Sequence, residues 1–259
     1  MYTLGIDIGS TTSKCVILQD GASIAAKSLQ LGGLGTDGPE DALAQLWQES
    51  GLTRADMARV IVTGYGRNKF EGADGEVSEL TCHALGGRFV FPDLRTVIDI
   101  GGQDAKIISL TPDGRMSNFI MNDKCAAGTG RFLEVMANIL RLDIDDLGAI
   151  ADQSDSPAAI SSTCTVFAES EVISQLANGV KRPDLVAGIC QSVATRVASL
   201  ARRPVSWSVC VCPAAWPATR QCAAIWPRRW TRRSPTTRWP SISVPSARRC
   251  THGNRPTSK

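Results

Sequence analysis

Two stretches with one shared pattern decide the fold: Leu4-Gly5-Ile6-Asp7-Ile8-Gly9-Ser10-Thr11-Thr12 and Thr96-Val97-Ile98-Asp99-Ile100-Gly101-Gly102-Gln103-Asp104. In each, an apolar run carries one Asp and ends at a glycine, and a loop of small and polar residues leads into a second apolar run. Short apolar runs of this kind predict strands, and the loop between them predicts a hairpin. Because Asp99 follows Asp7 by 92 positions, the pattern predicts two similar α/β lobes that face one another.

The rest of residues 1–204 shows mainly helical spacing. We expect helices over residues 40–50, 77–86, 166–178 and 184–203, and a buried strand over residues 60–63. Another helix is expected after residue 130, with an apolar stripe made of Phe132, Leu133, Met136, Ile139 and Leu140. These elements predict a first lobe (1–95), a second lobe (96–204) and a separate tail (205–259).

The composition indicates a soluble globular protein, with 43% hydrophobic and 20% charged residues among 259. No apolar run approaches the roughly 18 residues that a membrane helix needs. The chain starts directly in a strand pattern, without the features of a signal peptide. We therefore expect a cytoplasmic protein with no membrane segment, and nine cysteines that are reduced thiols or metal ligands rather than a disulfide framework.

The two loops suit phosphate binding. Gly9 lets the backbone approach a phosphate, and backbone amides with the hydroxyls of Ser10, Thr11 and Thr12 can cradle it. For either loop alone, the alternative interpretation is a simple hairpin bend without a ligand. The presence of two matched loops makes that alternative much less favoured. The predicted nucleotide-binding residues are Gly9, Ser10, Thr11, Thr12, Lys14, Gly101, Gly102 and Asp104, with Gly128, Thr129 and Gly130 as a third loop at a helix start.

Acidic residues in the same stretches suggest catalysis. Asp7 and Asp99 are expected to face each other across the cleft and to hold hydrated Mg²⁺. Gln103 or Asp104 could orient the attacking water of a phosphoryl-transfer reaction. The predicted catalytic residues are Asp7, Asp99 and Gln103.

Cys125 and Cys164 each come just before a predicted helix. A helix N-terminus stabilises an anion, so both positions suit thiolate ligands. Neither belongs to a C-x-x-C pair, which argues against zinc. A [4Fe–4S] cluster usually takes four thiolates, and a symmetric dimer would supply two from each chain. Chemistry alone leaves buried, inert cysteine open as the alternative, and we adopt that interpretation for Cys15, Cys82 and Cys190.

The paired loops resemble the phosphate motifs of the actin, sugar-kinase and Hsp70 ATPase superfamily. That resemblance implies two ribonuclease-H-like lobes with ATP between them. The segments around Cys125 and Cys164, with Asp99–Asp104 and Thr63-Gly64-Tyr65-Gly66-Arg67, resemble the ATP-dependent activators of 2-hydroxyacyl-CoA dehydratases. The ATPase subunits of benzoyl-CoA reductases share much of this pattern.

The activator resemblance implies one [4Fe–4S] cluster held by Cys125 and Cys164 across a homodimer. It also implies that ATP hydrolysis drives one electron into a dehydratase, with a ferredoxin or flavodoxin as donor. Asp7, Ser10, Thr11, Thr12, Asp99 and Gln103 would line the nucleotide site. Arg67 is either a partner or nucleotide contact or a solvated loop residue, and His83 is interpreted as structural.

Two other classes stay open. A sugar or acid kinase of the same superfamily would need no cluster. A nucleic-acid-binding module would use the basic tail, in which residues 205–259 hold nine Arg and one Lys with no acidic residue. Residues 1–204 keep the other 18 basic residues and all 25 acidic ones, a net charge of −7. Without the tail we expect no nucleic-acid or membrane partner.

We favour a different explanation for the tail. The family would continue with a strand, a Gly-Gly-Val-Ala-x-Asn adenosine-binding turn and a closing helix that packs on the first lobe. Residues 213–227 can be encoded by codons that read GGVARNPAVCRDLA from the third nucleotide onward, which restores that turn. We therefore expect a frameshift near residues 203–206, and a disordered tail in the chain as written.

Overall fold

A computed structural model describes residues 1–161 and 164–201, and the backbone of residues 210 and 211. It contains two sheets. The strands of the first sheet are β1 (Tyr2–Ile8), β2 (Thr12–Gln19), β3 (Ser23–Leu31), β4 (Met57–Thr63) and β5 (Gly75–Glu76). Those of the second are β6 (Thr96–Ile100), β7 (Ala105–Leu110), β8 (Met116–Asn122) and β9 (Cys210–Val211).

The two sheets repeat one topology. The first has the order β3-β2-β1-β4-β5 and the second the order β8-β7-β6-β9. In each sheet three antiparallel strands are joined in sequence, and a later strand runs parallel to the first of them on its other side. The predicted repeat and both predicted hairpins are therefore confirmed.

Six α-helices complete the described part of the chain. They are α1 (Gly38–Ser50), α2 (Glu79–Val90), α3 (Gly130–Leu140), α4 (Leu147–Ala151), α5 (Thr165–Ala177) and α6 (Arg182–Ala201). Five of them lie where the sequence predicts helices, with ends shifted by a few residues. The sequence did not predict the short α4 or the strands β3 and β8. Helix α4 has only five residues. Strands β3 and β8 are edge strands, and most of their side chains are exposed or half-buried, so they lack a clear apolar pattern.

The first sheet is covered on one face. Leu4 and Ile6 of β1 and Ile17 of β2 pack with Leu46 of α1 in one buried cluster. Residues that alternate with these along the strands point to the other face. There Val16, Leu18 and Ile61 are only half-buried, and Gly5 is exposed. Among the described residues, this face is the less buried side of the first lobe.

The second sheet is buried on both faces. Every residue of β6 and β7 is buried. One face packs against α3, α5 and α6 in the largest apolar cluster, which contains Ile98 and Ile107. Four of the five residues of the predicted α3 stripe are buried in that cluster, and the fifth, Ile139, packs against it partly buried. The other face contacts α2, where Ala84 clusters with Val97 and Ile108.

The helix α2 packs on the second sheet. The sequence prediction places residues 79–90 in the first lobe (1–95), and the apolar side of this helix contacts strands β6 and β7. The lobe boundary at residue 95 stays a prediction. The sequence analysis predicts a disordered tail over residues 205–259. In the structure Cys210–Val211 form a strand that pairs with Thr96 and Val97 of β6. The other residues of the predicted tail lie outside the described part of the chain.

No described helix is both long and apolar enough to cross a membrane.

Candidate active site

The first phosphate loop joins β1 to β2. The amide of Gly9 donates to the carbonyl oxygen of Thr12 at 3.0 Å, and the amide of Leu34 donates to the carbonyl oxygen of Gly9 at 3.0 Å. Gly33 lies so close to that carbonyl that a Cβ atom would overlap it. Within the described residues, the backbone amides of Ser10 and Thr11 donate no hydrogen bond. Two unused amides at a glycine turn can bind phosphate oxygens.

Asp7 is the penultimate residue of β1 and lies directly beside Thr63 of β4. Its Oδ2 accepts a hydrogen bond from Lys14 Nζ at 3.0 Å. Its Oδ1 is buried and has no hydrogen-bond partner among the described residues, and the same holds for Thr63 Oγ1. A buried carboxylate oxygen without a partner is costly. This pair of atoms therefore suits an ordered water or a hydrated cation such as Mg²⁺.

The second phosphate loop repeats the geometry of the first. The amide of Gly101 donates to the carbonyl oxygen of Asp104 at 2.9 Å, which matches the Gly9 bond. The third loop lies directly against it, because the amides of Gly130 and Arg131 donate to the carbonyl oxygens of Gly101 and Gly102 at 2.9 and 2.8 Å. The predicted second and third loops thus form one unit at the start of α3.

Thr11 and Gly102 bring the first and second loops together across the lobes. A Cβ atom on Gly102 would lie 2.8 Å from Thr11 Oγ1, so only glycine fits without a shift. Gln103 is exposed beside this contact. Gly128 adopts a left-handed φ of 89°, which favours glycine, and Thr129 is fully buried, with its hydroxyl donating to the Ala126 carbonyl oxygen at 2.6 Å. All three predicted loops therefore lie together between the two sheets.

Asp99 lies in a buried ionic cluster. Its Oδ2 is 3.2 Å from His83 Nδ1 and 3.7 Å from Lys106 Nζ. Burial alone would raise the pKa of the Asp99 carboxyl, but the contact with His83 and the charges of His83, Lys106 and Lys14 outweigh it and lower that pKa. Burial alone would lower the pKa of His83, and the Asp99 and Glu79 carboxylates raise it instead. His83 thus contacts a predicted catalytic residue, which the sequence did not indicate.

Lys106 sits at the centre of the same cluster. Its ammonium is 2.7 Å from Asp104 Oδ1 and 3.0 Å from Glu79 Oε1, and the residue is 3% exposed. Burial opposes the charge on Lys106, but Asp104, Asp99 and Glu79 raise its pKa. Glu79, His83 and Asp99 have ligand atoms within 4.8 Å of one another, as a metal site would. Because the Lys106 ammonium lies within ion-pair distance of both carboxylates of this trio, at 3.0 Å from Glu79 and 3.7 Å from Asp99, the trio is better explained as an ion-pair cluster.

The side chain of Asp104, a predicted nucleotide-site residue, is held by protein groups. Both carboxylate oxygens are engaged by protein groups, Oδ1 by Lys106 and Oδ2 by the Tyr65 hydroxyl at 2.9 Å. With 4% exposure, the side chain is turned away from solvent. Of the two residues proposed to orient water, the exposed Gln103 is therefore better placed. Burial and the Asp104 contact raise the pKa of the Tyr65 hydroxyl.

Cys125 and Cys164 both lie near the surface. Cys125 is half-buried in the segment before the third loop, and Arg196 of α6 donates to its Sγ at 3.7 Å. Asn122 Nδ2 donates to the Cys125 carbonyl oxygen at 2.9 Å. Cys164 is exposed and directly precedes α5, followed by the exposed Val166 and Phe167. Both thiols can therefore reach a group at the protein surface.

The other described cysteines are enclosed. Cys15 and Cys190 are buried, and burial raises the pKa of the Cys15 thiol to about 12. Burial also raises the pKa of Cys82, which is half-buried beside Thr63. These positions agree with the structural role predicted for them. Arg67 bonds within its own turn, donating to the Gly64 carbonyl oxygen at 3.1 Å.

Two sheets of repeated topology, with matched loops that meet between them, define a two-lobed α/β protein with the fold of the sugar-kinase and actin superfamily. A ROK-family glucokinase from Streptomyces griseus has the same fold, with a TM-score of 0.50 at 13% identity over 89% of this chain and 90% of that one. The model of the BadF/BadG/BcrA/BcrD ATPase family matches residues 4–209. The chain belongs to this family.

Curated relatives and solved structures agree with that assignment. The (R)-2-hydroxyglutaryl-CoA dehydratase activating ATPase of Acidaminococcus fermentans is 57% identical over 204 residues, which cover 78% of each chain. The solved activator of the 2-hydroxyisocaproyl-CoA dehydratase from Clostridium difficile, with bound ADPNP, has a TM-score of 0.83 at 51% identity over 89% of this chain and 86% of that one. A benzoyl-CoA reductase component of Thauera aromatica is 32% identical over 203 residues, covering 76% of this chain and 72% of that protein. The predicted resemblance is confirmed.

Proposed function

We propose that this protein is an ATP-hydrolysing, iron–sulfur activator that transfers one electron to a 2-hydroxyacyl-CoA dehydratase. The observation that carries the proposal is the family match over residues 4–209, which includes both phosphate loops and both surface cysteines. Identity of 57% to a dehydratase-activating ATPase, against 32% to a benzoyl-CoA reductase component, favours the activator over the reductase-type ATPase. A non-redox sugar or acid kinase is disfavoured because its use would leave Cys125 and Cys164 without a task.

The cleft supports ATP and Mg²⁺ as ligands. The unused amides of Ser10 and Thr11 would bind phosphate oxygens, and the buried Oδ1 of Asp7 would accept from a water of hydrated Mg²⁺. Asp99 would face the same ion from the second lobe, held as a carboxylate by Lys106 and His83. Gln103 would hold the attacking water. These residues position the phosphates and the water, which is the main task in phosphoryl transfer.

The thiols fit a [4Fe–4S] cluster shared between two copies of the chain. Within the described residues, one copy offers two outward-placed thiols, Cys125 and Cys164, and a cubane cluster usually takes four. The exposed Val166 and Phe167, 67% and 69% accessible, would be covered at such a twofold interface. When bound, the cluster would supply the one-electron redox chemistry. Such a cluster fits a reducing cytoplasm, with a ferredoxin or flavodoxin as donor.

The loops also provide a short connection between nucleotide and cluster. The third loop donates two amides to the second phosphate loop, and Cys125 lies only three residues before Gly128. A movement of the second loop on ATP hydrolysis would therefore displace the segment that contains Cys125. This arrangement supports coupling of ATP hydrolysis to electron transfer.

Iron analysis tests the proposal. Protein purified without oxygen is expected to contain about four iron atoms per dimer, in line with one cubane cluster. Cys125→Ser and Cys164→Ser should each lose that iron and the associated visible absorption, because one thiolate per copy is removed. Cys82→Ser is the matched control and should keep both. Iron retained in the first two variants would remove the basis of the proposal.

We further propose that the reading frame is lost near residues 203–206. The family match ends at residue 209, close to this point. The half-buried Val16, Leu18 and Ile61 form the face of the first sheet that a closing helix would cover. Burying such residues contributes about 25 cal/mol per Å² of apolar surface. The chain as written is therefore expected to be less stable than its in-frame form.

Resequencing the gene from codon 195 past the stop codon is the direct test. We expect the restored frame to encode the Gly-Gly-Val-Ala-x-Asn turn and an amphipathic closing segment. A frameshift can be an error in the determined sequence or a real mutation of the gene, and confirmation of the written frame would rule out the former. It would identify a locus that encodes a damaged activator.

A further inference from the structure

We propose that Tyr65 is a positioning residue of the ATPase site, which ties the first lobe to the second phosphate loop through its hydrogen bond to Asp104. The inference rests on the proposed function, because it assigns a role within that nucleotide cleft. Tyr65 belongs to the Thr63–Arg67 turn, which has no role in the phosphate contacts described above. The bond joins residues 39 positions apart in two different lobes.

On the first-lobe side, the turn that carries Tyr65 is fixed to the end of β1. The amide of Gly66 donates to the Ile8 carbonyl oxygen at 2.9 Å. Gly64 has a left-handed φ of 85°, and a Cβ atom there would overlap the same carbonyl. Arg67 closes the turn by donating to the Gly64 carbonyl oxygen. The backbone that carries Tyr65 is therefore held at a set place relative to Asp7 and the first phosphate loop.

On the second-lobe side, Asp104 is equally constrained. Its backbone carbonyl accepts from Gly101 within the second loop, and its carboxylate is held by Lys106 at 2.7 Å. Lys106 is in turn held by Glu79 of α2 at 3.0 Å. The Tyr65 hydroxyl thus bonds to a rigid, charged acceptor. A hydrogen bond to a charged group is about twice as strong as a neutral one.

The consequence is a fixed spacing between the two phosphate loops. A nucleotide whose phosphates bridge Ser10 and Thr11 on one side and Gly101 and Gly102 on the other needs that spacing. Without the Tyr65 hydroxyl, bound nucleotide must bring the loops together itself. That loss acts on the ground state and the transition state alike, so it raises KM more than it lowers kcat.

Hydrogen exchange on the nucleotide-free full chain provides the first test. Tyr65→Phe removes only the hydroxyl from a side chain that is 52% exposed, so folding is expected to survive. The amides of Gly101, Gly130 and Arg131 donate within the second and third loops and should exchange about tenfold faster, since loss of a charge-assisted bond loosens the unit. Tyr2→Phe, the same change away from the cleft, is the control. Unchanged exchange in Tyr65→Phe would overturn the proposal.

A second pair of measurements separates positioning from simple folding. KM for ATP should rise about tenfold in Tyr65→Phe while kcat changes less than about twofold. Adding Tyr65→Phe to Asp104→Ala should have no further effect on loop exchange, because the acceptor is already gone; independent, additive effects would contradict the assignment. If the frame-restored chain hydrolyses no ATP while the exchange result holds, the proposed function fails and the inter-lobe bond stands.

Discussion

The two lobes share a topology and a phosphate loop, but they surround their aspartates differently. In the first lobe, Asp7 has one half-exposed partner, Lys14, and a buried oxygen without a partner among the described residues. In the second lobe, Asp99 lies in a cluster with Lys106 and His83 that is almost closed to solvent. The first sheet packs its core on one face and the second on both. The same local pattern therefore gives two electrostatic environments, because neighbouring helices decide burial.

Replacing the lysines of the two lobes should give the largest contrast. Lys106→Met leaves the buried carboxylates of Asp99 and Asp104 close to that of the half-buried Glu79 without their shared cation, which is expected to cost about 3–5 kcal/mol of unfolding free energy. Lys14→Met removes a half-exposed ion pair, which contributes at most about 1 kcal/mol. Denaturant unfolding of both variants measures the difference. Equal losses would show that the two aspartate environments do not differ as described.

Adding a methyl group behind each loop should give a smaller contrast. Gly33→Ala places a Cβ atom on the Gly9 carbonyl oxygen, and overpacking of this kind costs about 1–3 kcal/mol. In Gly130→Ala the Cβ atom lies 3.2 Å from the Gly101 carbonyl oxygen, which a small shift can relieve. Gly5→Ala, with nothing within 4 Å, is the control. In thermal unfolding, Gly33→Ala should have the lowest melting temperature of the three variants. A lower melting temperature for Gly130→Ala would contradict this prediction.

The smallest effect is a pH dependence that belongs to the second lobe. The pKa of His83 is raised above its usual value of about 6.5. The stability from its contact with Asp99 is therefore complete below about pH 6.5 and is lost as the pH rises through the raised pKa. His83→Gln should flatten this decline in the magnesium-free protein. Unfolding free energies at several pH values between 6 and 9 provide the check, and an unchanged slope would assign the decline to other groups.

Local patterns were enough to predict the repeat, both hairpins and five helices. Each of these follows from apolar spacing and small-residue turns within a short window, as in the two Asp–x–Gly stretches. The contacts that the sequence did not reveal join distant segments. Tyr65 meets Asp104 across the lobes, and α2 brings Glu79 and His83 to the second sheet. No local signal marks such contacts, because they depend on how segments far apart in the sequence pack together.

The charge on Asp104 illustrates the same limit. In the sequence it occupies the loop position where a nucleotide contact is expected, and nothing nearby suggests otherwise. In the structure Lys106, two residues further on, turns back onto it because β7 runs antiparallel to β6 and places this lysine inside the lobe. Strand pairing therefore places the side chain of this predicted ligand in a buried ion-pair cluster. Gln103 is exposed instead and stays at the cleft.

The unequal burial of the cysteines has a practical meaning for chemical labelling. Alkylating reagents react with thiolates, and the pKa of about 12 at Cys15 leaves almost none at neutral pH. Cys190 is shielded by packing. A brief maleimide pulse on folded, iron-free protein would therefore mark Cys164 first, and Cys125 after it, among the five described cysteines. The same pulse would read out assembly, because a second copy seated over these thiols would protect both at once.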